Sequence, residues 1–205
     1  DSRPASGLPA YALFGATLAA AGLPIYIHAP KFYVDEYGVS LAALGTVLFV
    51  LRLLDVVQDP VLGWLSERTR RIRSGAVAIA LVLLAVSMFG LFAVAPPVAP
   101  LLWFGLTLTG LFSSFSFLTI TFYAEGVEKA GRIDGGHVRL AAWRETGALL
   151  GVSLAAMAPT ALAAASGRPF AAFAAAFAGL VVVSGFAMRR EWGMSARTDP
   201  GPGVG

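Results

Sequence analysis

Three ionisable residues stand inside a long apolar stretch of this 205-residue sequence: Arg52, Asp55 and Asp59. An α-helix turns by about 100° per residue, so the three side chains fall within about 60° of one another on one helix face. Two carboxylates one turn apart, beside a guanidinium, can exchange protons or bind a small cation through hard oxygen ligands. Gln58, next to Asp59, can add an amide oxygen. The spacing therefore predicts proton or cation chemistry on this face.

A buried structural ion-pair cluster that only fixes helix packing is the alternative interpretation of these charges. Against it, one arginine cannot neutralise two carboxylates, and the surplus negative charge favours a cation or a proton. A charge in the middle of a membrane costs at least about 2.5 kcal/mol by insertion scales, which implies that it has a use. Gly45 and Gly63 lie on the same face and predict close approach of another helix.

A second charged position, Arg144 with Glu145 beside it, stands near the start of another apolar stretch. The helix face of Arg144 also carries Gly147 and Gly151, a small-residue pattern that predicts close packing of helices. Arg144 either pairs with Glu145, extends to the edge of the membrane or contacts a ligand. The sequence leaves these alternatives open.

The elements that must position these residues are membrane-spanning helices. The chain is 57% hydrophobic and 13% charged, against roughly 25% charged residues in a soluble domain. Six stretches are each long enough to cross a hydrocarbon core of about 30 Å as a helix, and none alternates as the strands of a β-barrel do. We call them spans 1 to 6: about 8–30, 41–65, 75–95, 98–122, 140–164 and 169–188. We therefore expect an all-α polytopic membrane protein, in which residues 1–194 form one six-helix bundle and residues 195–205 form a disordered cytoplasmic tail.

Basic residues predict the orientation of the bundle, because Lys and Arg concentrate in cytoplasmic loops. They cluster before span 1 and after spans 2, 4 and 6, whereas only Lys31 and Arg168 fall on the other side. We expect both termini and the longest loop, 123–138, in the cytoplasm, with the protein in the inner or plasma membrane. Span 1 is longer than a signal-peptide core, so we expect it to be retained.

Other classes of function are excluded by what the sequence lacks. It contains no cysteine, and its two histidines, His28 and His137, are far apart, so no zinc or thiolate site is expected. It has no Ser/His/Asp set and no phosphate-binding glycine loop, so we do not expect an enzyme. The basic residues are explained by membrane orientation, so we expect no nucleic acid partner. No cofactor is expected beyond Na⁺ or H⁺ as a coupling ion.

Three segments resemble one family of transporters: FYVDEYGVS (32–40), RLLDVVQDPVLGWLSERTRR (52–71) and VRLAAWRETGALLG (138–151). They are similar to a segment before span 2, to span 2 with its following loop, and to the entry of span 5 in the major facilitator superfamily. The resemblance is strongest to its glycoside-pentoside-hexuronide:cation symporters. It implies a six-helix bundle built as a 3+3 inverted repeat, two of which make one transporter.

The resemblance also implies roles for individual residues. The positions that match the family's cation site, with the two acids as the ligands if Na⁺ is the ion, are Asp55, Asp59, Gln58 and Ser116. The positions that match its sugar site are Arg144, Tyr26, Thr119 and Tyr123. Its structural or gating motif corresponds to Arg52, Pro60, Gly63, Glu67 and Arg68. Two sugar-binding acids of the family are replaced by Ala19 and Thr119, so the resemblance supports cation coupling better than recognition of a galactoside.

The length corresponds to one of the two bundles of such a transporter. The sequence thus predicts a half-size secondary transporter for Na⁺- or H⁺-coupled symport of a small polar solute, such as a sugar or glycoside. It would act as a homodimer or with a separate second half, in contact with membrane lipid. Two alternatives stay open: a non-transporting accessory or scaffold subunit, and the isolated N-terminal half of a longer transporter, which the lack of an initiator Met permits.

Overall fold

The structure, a computed structural model, describes residues 7–133 and 135–192, and these residues are almost entirely helical. The tail expected at 195–205 lies outside them. Within the described residues seven α-helices follow one another: α1 (Leu8–Tyr26), α2 (His28–Tyr37), α3 (Leu41–Arg68), α4 (Arg73–Phe92), α5 (Pro100–Ala130), α6 (Gly136–Ala163) and α7 (Pro169–Met188). A 3-10 turn at Arg70–Ile72 joins α3 to α4. The prediction of an all-α chain is confirmed.

Five helices, α3 to α7, are long and apolar enough to cross a membrane, α4 together with the turn before it. The apolar part of α1, Leu8–Gly22, is shorter. The described chain is therefore a polytopic helical membrane protein. A sixth crossing by α1 stays a prediction.

The first apolar stretch is divided between two helices. α1 ends at Tyr26, a turn follows at Ile27, and α2 then continues to Tyr37, beyond the predicted end at residue 30. Pro30 lies in the first turn of α2, where a backbone N–H has no partner inside the helix, so its missing N–H costs nothing there. The apolar pattern cannot reveal this division, because it continues across Ile27.

The connection from α2 to α3 fixes where α3 begins. Gly38 adopts a left-handed φ of 64° at the end of α2, and its N–H donates to the Val34 carbonyl at 3.1 Å. Ser40 then caps α3, since its hydroxyl oxygen accepts from the Ala43 N–H at 3.2 Å. These two caps set the register of the helix that carries the charged residues of span 2.

The loop expected at 123–138 is mostly helical. α5 continues to Ala130 and α6 begins at Gly136, so the connection covers residues 131–135, of which residue 134 is not described. Glu125, Glu128 and Lys129 are good helix formers, and they extend α5 beyond its apolar part. Hydropathy marks where the membrane-compatible part of a helix ends, whereas the helix itself continues.

α1 and α6 form the most extensive helix contact, and small residues make it close. Gly147 and Gly151 of α6 pack against the backbone of Ala12 and Ala16 of α1, where a Cβ on either glycine would overlap a carbonyl group. Gly15 of α1 is packed in the same way, because a Cβ added to it would lie 2.9 Å from the Arg144 carbonyl oxygen. The predicted packing role of this face of span 5 is confirmed.

The most extensive helix contacts occur in matching pairs, whereas the smaller contact of α6 with α7 has no counterpart of similar size between α3 and α4. α1 packs on α6 and α7, whereas α5 packs on α3 and α4, and α4 packs on α7. Suppose that α1 is exchanged with α5, α3 with α6, and α4 with α7. The contacts of α1 with α6 and α7 then become the contacts of α5 with α3 and α4, and the contact between α4 and α7 is unchanged. α3 and α6 stand at the periphery, each packed chiefly on one neighbour. Consequently, they are the two least buried of the candidate spans.

Candidate cation and solute site

Arg52, Asp55 and Asp59 form one charged stripe along α3. The Nη1 of Arg52 donates to Oδ2 of Asp55 at 3.4 Å, and its guanidinium lies 5.3 Å from the ring centroid of Tyr26 on α1. Asp55 is 7% exposed. Asp59, one turn further along, is exposed and forms no hydrogen bond or ion pair with the described part of the chain. The surplus negative charge of the stripe therefore resides at Asp59.

Gln58 is held against α5 by a hydrogen bond between side chains. The Ser113 hydroxyl donates to Oε1 of Gln58 at 3.1 Å, while the buried Nε2 of Gln58 has no partner in the described residues. Turning the amide by 180° would let Nε2 donate to the same hydroxyl, since a serine hydroxyl both donates and accepts. The amide oxygen would then take the buried position that Nε2 now occupies, where it has no partner in the described residues.

Ser113 and Ser116 both lie on α5, three residues apart, on one side of the helix. Ser113 is the one that contacts Gln58, whereas Ser116 is half-buried and forms no hydrogen bond with the described residues. Their i, i+3 spacing on one side of the helix was the signal in the sequence that could have pointed to Ser113. The role of Ser116 as a cation ligand stays a prediction, and Ser113 is the neighbour that residue matching missed.

The glycines of the charged face lie in open space. No atom of the described chain comes within 4 Å of the position that a Cβ would take at Gly45 or Gly63. Pro60 lies within α3, which continues unbroken to Arg68. The expected close approach at Gly45 and Gly63 is therefore not made by any described helix, because α3 is open at these two positions, although Asp55 at the edge of the same face is buried.

The donor set of the stripe fits a monovalent ion or a proton. The described residues contain no group of three or more His, Cys, Asp or Glu side chains that could hold a metal ion. Divalent cations prefer more numerous oxygen ligands with more negative charge. Two carboxylates partly neutralised by Arg52, with neutral oxygens on Gln58 and Ser113, leave about one negative charge for a partner.

Three residues of the expected solute site line one cavity between α1, α5 and α6. Thr119, Tyr123 and Arg144 line a volume of about 170 Å³, and Ala19 of α1 also lines it. The Arg144 guanidinium lies 4.2 Å from the Tyr123 ring centroid. Buried Oγ1 of Thr119 has no hydrogen-bond partner among the described residues. The cavity thus presents an aromatic face, a cation and an unpaired hydroxyl.

One of the alternatives left open for Arg144, the pair with Glu145, is present in the structure, and contact with a ligand stays a prediction. Its Nε and Nη2 donate to Oε1 of Glu145 at 3.0 and 2.8 Å, and its side chain also lines the cavity. Because the side chain of Glu145 is more than half exposed, this ion pair can exchange for contacts to a solute at little cost.

Tyr26, the fourth residue expected at the solute site, lies elsewhere. It contacts Arg52 of the charged stripe and packs on Phe112, 5.8 Å between ring centroids. It does not line the cavity that holds Arg144. Tyr26 therefore lies beside the charged stripe of α3 in this structure.

The motif residues at the end of α3 join a charge network. Arg70 binds Glu67 at 3.5 Å and Glu128 of α5 at 2.8 Å, while Arg68 lies over the Trp64 ring at 5.1 Å. The network links the loop after α3 to the polar end of α5.

Two buried ion pairs at the same end were not anticipated from the sequence. Arg73 binds Glu125 at 2.6 Å with both side chains nearly inaccessible, and Lys129 binds Glu191. Arg73 and Lys129 counted only as orientation charges, since pairs more than 50 residues apart in sequence leave no local pattern. The charged extension of α5 was the available signal, because charges on a helix beyond the apolar core need partners.

The chain matches one known protein family over most of its length. Residues 8–193 match the model of a family described as MFS/sugar transport protein. The chain belongs to this family. This family membership indicates that the chain is a transporter and not an enzyme, as the sequence motifs predicted. It also confirms the resemblance seen in spans 2 and 5.

Curated relatives of this MFS/sugar transport protein have symporter names. The chain is 49% identical over 39 residues to YagG of Escherichia coli (strain K12), which is named for glycoside/cation symport. It is 45% identical over 38 residues to the symporter YnaJ of Bacillus subtilis (strain 168), and 44% over 39 to the inner membrane symporter YicJ of Escherichia coli. The matches cover 18–19% of this chain and 8% of each relative. No solved structure matches the chain.

Proposed function

We propose that this chain forms one half of a secondary transporter that couples Na⁺ or H⁺ to the symport of a small polar solute such as a sugar or glycoside. The observation that carries the proposal is the charged stripe of Arg52, Asp55 and Asp59 on α3, in which Arg52 and Asp59 are exposed. Charged side chains in membrane spans rarely face lipid, so this face needs a water-filled cavity or a second protein surface. An interface between two bundles supplies both.

The second bundle would be another copy of this chain or a separate chain, and it would cover the open faces of α3 and α6. The proposed bundle has six spans, with α1 as the first, arranged as a 3+3 inverted repeat. The paired helix contacts support this arrangement, since exchange of the two helix triplets preserves them. The excess of basic residues at one end supports an inner or plasma membrane location with both termini in the cytoplasm.

The solute would bind in the cavity beside Arg144 and Tyr123. Ligand pockets usually measure about 300–1,000 Å³, so a volume of about 170 Å³ fits part of a site that the second bundle completes. The Arg144 donors and the Thr119 hydroxyl would bond to solute oxygens, and the Tyr123 ring would pack on a sugar face. Ala19 and Thr119 carry no acid, so Glu145 would be the carboxylate that this cavity offers to the hydroxyls of the solute.

Coupling would follow from the charge at Asp59. With Asp59 ionised, closure of the second bundle over α3 would bury a net negative charge, which is strongly unfavourable. A bound Na⁺ or proton neutralises that charge and lowers the free energy of the closed state. Since the solute binds between the same two surfaces, cation and solute each favour the state that the other binds.

The test is cation-driven uptake by proteoliposomes that contain the full chain. A panel of labelled hexoses, pentoses and glycosides is offered under an inward Na⁺ gradient or an inward proton gradient. We expect one gradient to stimulate uptake, and Asp59→Asn to abolish the stimulation because the amide cannot carry the charge that the cation neutralises. Asp35→Asn is the matched control, since Asp35 is exposed outside the candidate spans and paired with Lys31.

Either of two results would contradict the proposal. Gradient-stimulated uptake that persists in Asp59→Asn would remove the cation role of the stripe. Absence of uptake by the unaltered chain, both alone and with its co-purifying partner, would contradict a half-size transporter and leave the accessory subunit and the isolated N-terminal half as the two explanations.

A further inference from the structure

A groove runs between α4 and α7 on the outer side of the bundle, at the end where both helices carry arginines. Its volume is about 340 Å³ and its surface is almost entirely apolar. The apolar wall consists of Val77, Ala78, Leu81, Val82, Ala85, Val181, Val182, Gly185 and Phe186. Val82, Val182 and Phe186 are more than half exposed, so the groove opens toward the lipid.

The polar groups of this groove are all at one end and can all donate hydrogen bonds. They are Ser74 at the start of α4, and Arg189 and Trp192 after α7. Arg189 is exposed, lies 5.6 Å from the Phe186 ring centroid, and forms no ion pair with the described residues. Trp192 is 3% exposed, and its buried Nε1 has no acceptor within residues 7–133 and 135–192. An exposed cation and an unsatisfied buried donor together favour an anionic acceptor.

Among the described residues, no carboxylate lines this end of the groove. The adjacent Glu191 binds Lys129 of α5 and is itself buried. Arg190, next along the chain, adds positive charge, and the basic turn before α4 lies at the same end of the helices. The potential at the mouth of the groove is therefore positive.

We propose that this groove binds an anionic phospholipid of the leaflet on the basic side of the bundle. The headgroup phosphate accepts hydrogen bonds from Arg189 and Trp192, while one acyl chain fills the apolar wall between α4 and α7. A soluble anion would match the donors but leave the apolar wall uncovered. A neutral lipid would fill the wall but leave the arginine unpaired. Anionic lipids are concentrated in the cytoplasmic leaflet, where the basic loops are expected.

The experiment is native mass spectrometry of the full chain in detergent, titrated with dioleoyl-phosphatidylglycerol. Dioleoyl-phosphatidylcholine has the same acyl chains with a neutral headgroup and reports apolar contact alone. We expect tighter binding of the anionic lipid and an approximately fivefold loss of affinity in Arg189→Gln, the effect of about one basic residue near a lipid surface. Arg190→Gln, an equal charge change on a neighbour that does not line the groove, should weaken binding by a clearly smaller factor, because it lowers the positive potential without removing a hydrogen bond to the headgroup. Trp192→Phe keeps the ring but removes the N–H, and should weaken binding by about fivefold.

Three outcomes would overturn the proposal. Equal affinity for the two lipids would show that the headgroup is not recognised. Equal loss in Arg189→Gln and Arg190→Gln would show diffuse attraction to basic residues. Displacement of the bound lipid by millimolar inorganic phosphate would show a site for a free anion in place of a lipid.

Discussion

At the scale of single residues, Asp55 and Asp59 have the same chemistry but different surroundings. Asp55 is buried and paired with Arg52, as the structural ion-pair interpretation requires. Asp59 is exposed and lacks such a pair in the described chain. The structural ion pair and the cation site are therefore compatible interpretations of the stripe. The ion pair accounts for the carboxylate of Asp55 and leaves that of Asp59 without a partner in the described chain. The proposed cation chemistry depends on Asp59.

The contact between Gln58 and Ser113 makes a prediction that separates the two serines of α5. Gln58→Leu and Ser113→Ala should each destabilise the protein, and together by less than the sum, with a coupling energy of about 0.6 kcal/mol. The physical reason is that either change alone removes the same hydrogen bond. The measurement is unfolding of the solubilised protein in SDS, followed by tryptophan fluorescence.

Ser116→Ala supplies the control for this cycle. It removes the same hydroxyl three residues further along α5, where no hydrogen bond to Gln58 is formed. Its effect should add to that of Gln58→Leu without coupling. Coupling of Gln58 to Ser116 and not to Ser113 would contradict the geometry described above.

At the scale of elements, the two glycine pairs on α6 and α3 have opposite surroundings. Gly147 and Gly151 let α6 contact the backbone of α1, whereas Gly45 and Gly63 face open space. The sequence patterns are similar, since each pair lies on a helix face that also carries an arginine. The neighbouring helix decides which face is packed within the bundle.

Substitution of these glycines by leucine tests the difference. Gly147→Leu should lower the free energy of unfolding by at least about 2 kcal/mol, because the added side chain meets the backbone of Ala12 and pushes α1 and α6 apart. Gly63→Leu should change it by no more than about 0.5 kcal/mol, since no described atom lies near. SDS unfolding measures both, and a large destabilisation by Gly63→Leu in the isolated chain would be contrary to the open face.

At the scale of the whole molecule, the bundle is one-sided. α4, α5 and α1 supply its core, whereas α3 and α6 leave faces without contact on the side of the charged stripe. The outer surface of α4 is equally exposed but carries only apolar residues along its middle, as a lipid-facing surface does. The charged side of α3 and the outer surface of α4 are therefore distinguished by their charge and not by their exposure.

Single cysteines can distinguish them, because the natural sequence contains none. Val56 beside the charged stripe and Ile79 on the outer face of α4 are both 73% exposed. In native membranes Val56→Cys should react with a water-soluble maleimide or cross-link to a second chain, because a charged face requires water or protein against it. Ile79→Cys should do neither. Equal inertness of both thiols would indicate that α3 faces lipid.

The sequence by itself determined the fold class and the placement of three charged residues on one helix face. Apolar length requires helices in lipid, since every backbone polar group must be satisfied within the segment. The 100° turn per residue then places Arg52, Asp55 and Asp59 on one face without reference to other helices. Both inferences use only local geometry, which is why they could be made from a single chain.

Only the tertiary structure decided which residues meet. It placed Ser113 beside Gln58, Tyr26 beside Arg52, and Thr119, Tyr123 and Arg144 around one cavity. It also paired Arg73 with Glu125 across more than 50 residues of sequence. Such contacts depend on how helices rotate and approach one another, and this is set by packing over whole helix faces, which no local spacing encodes.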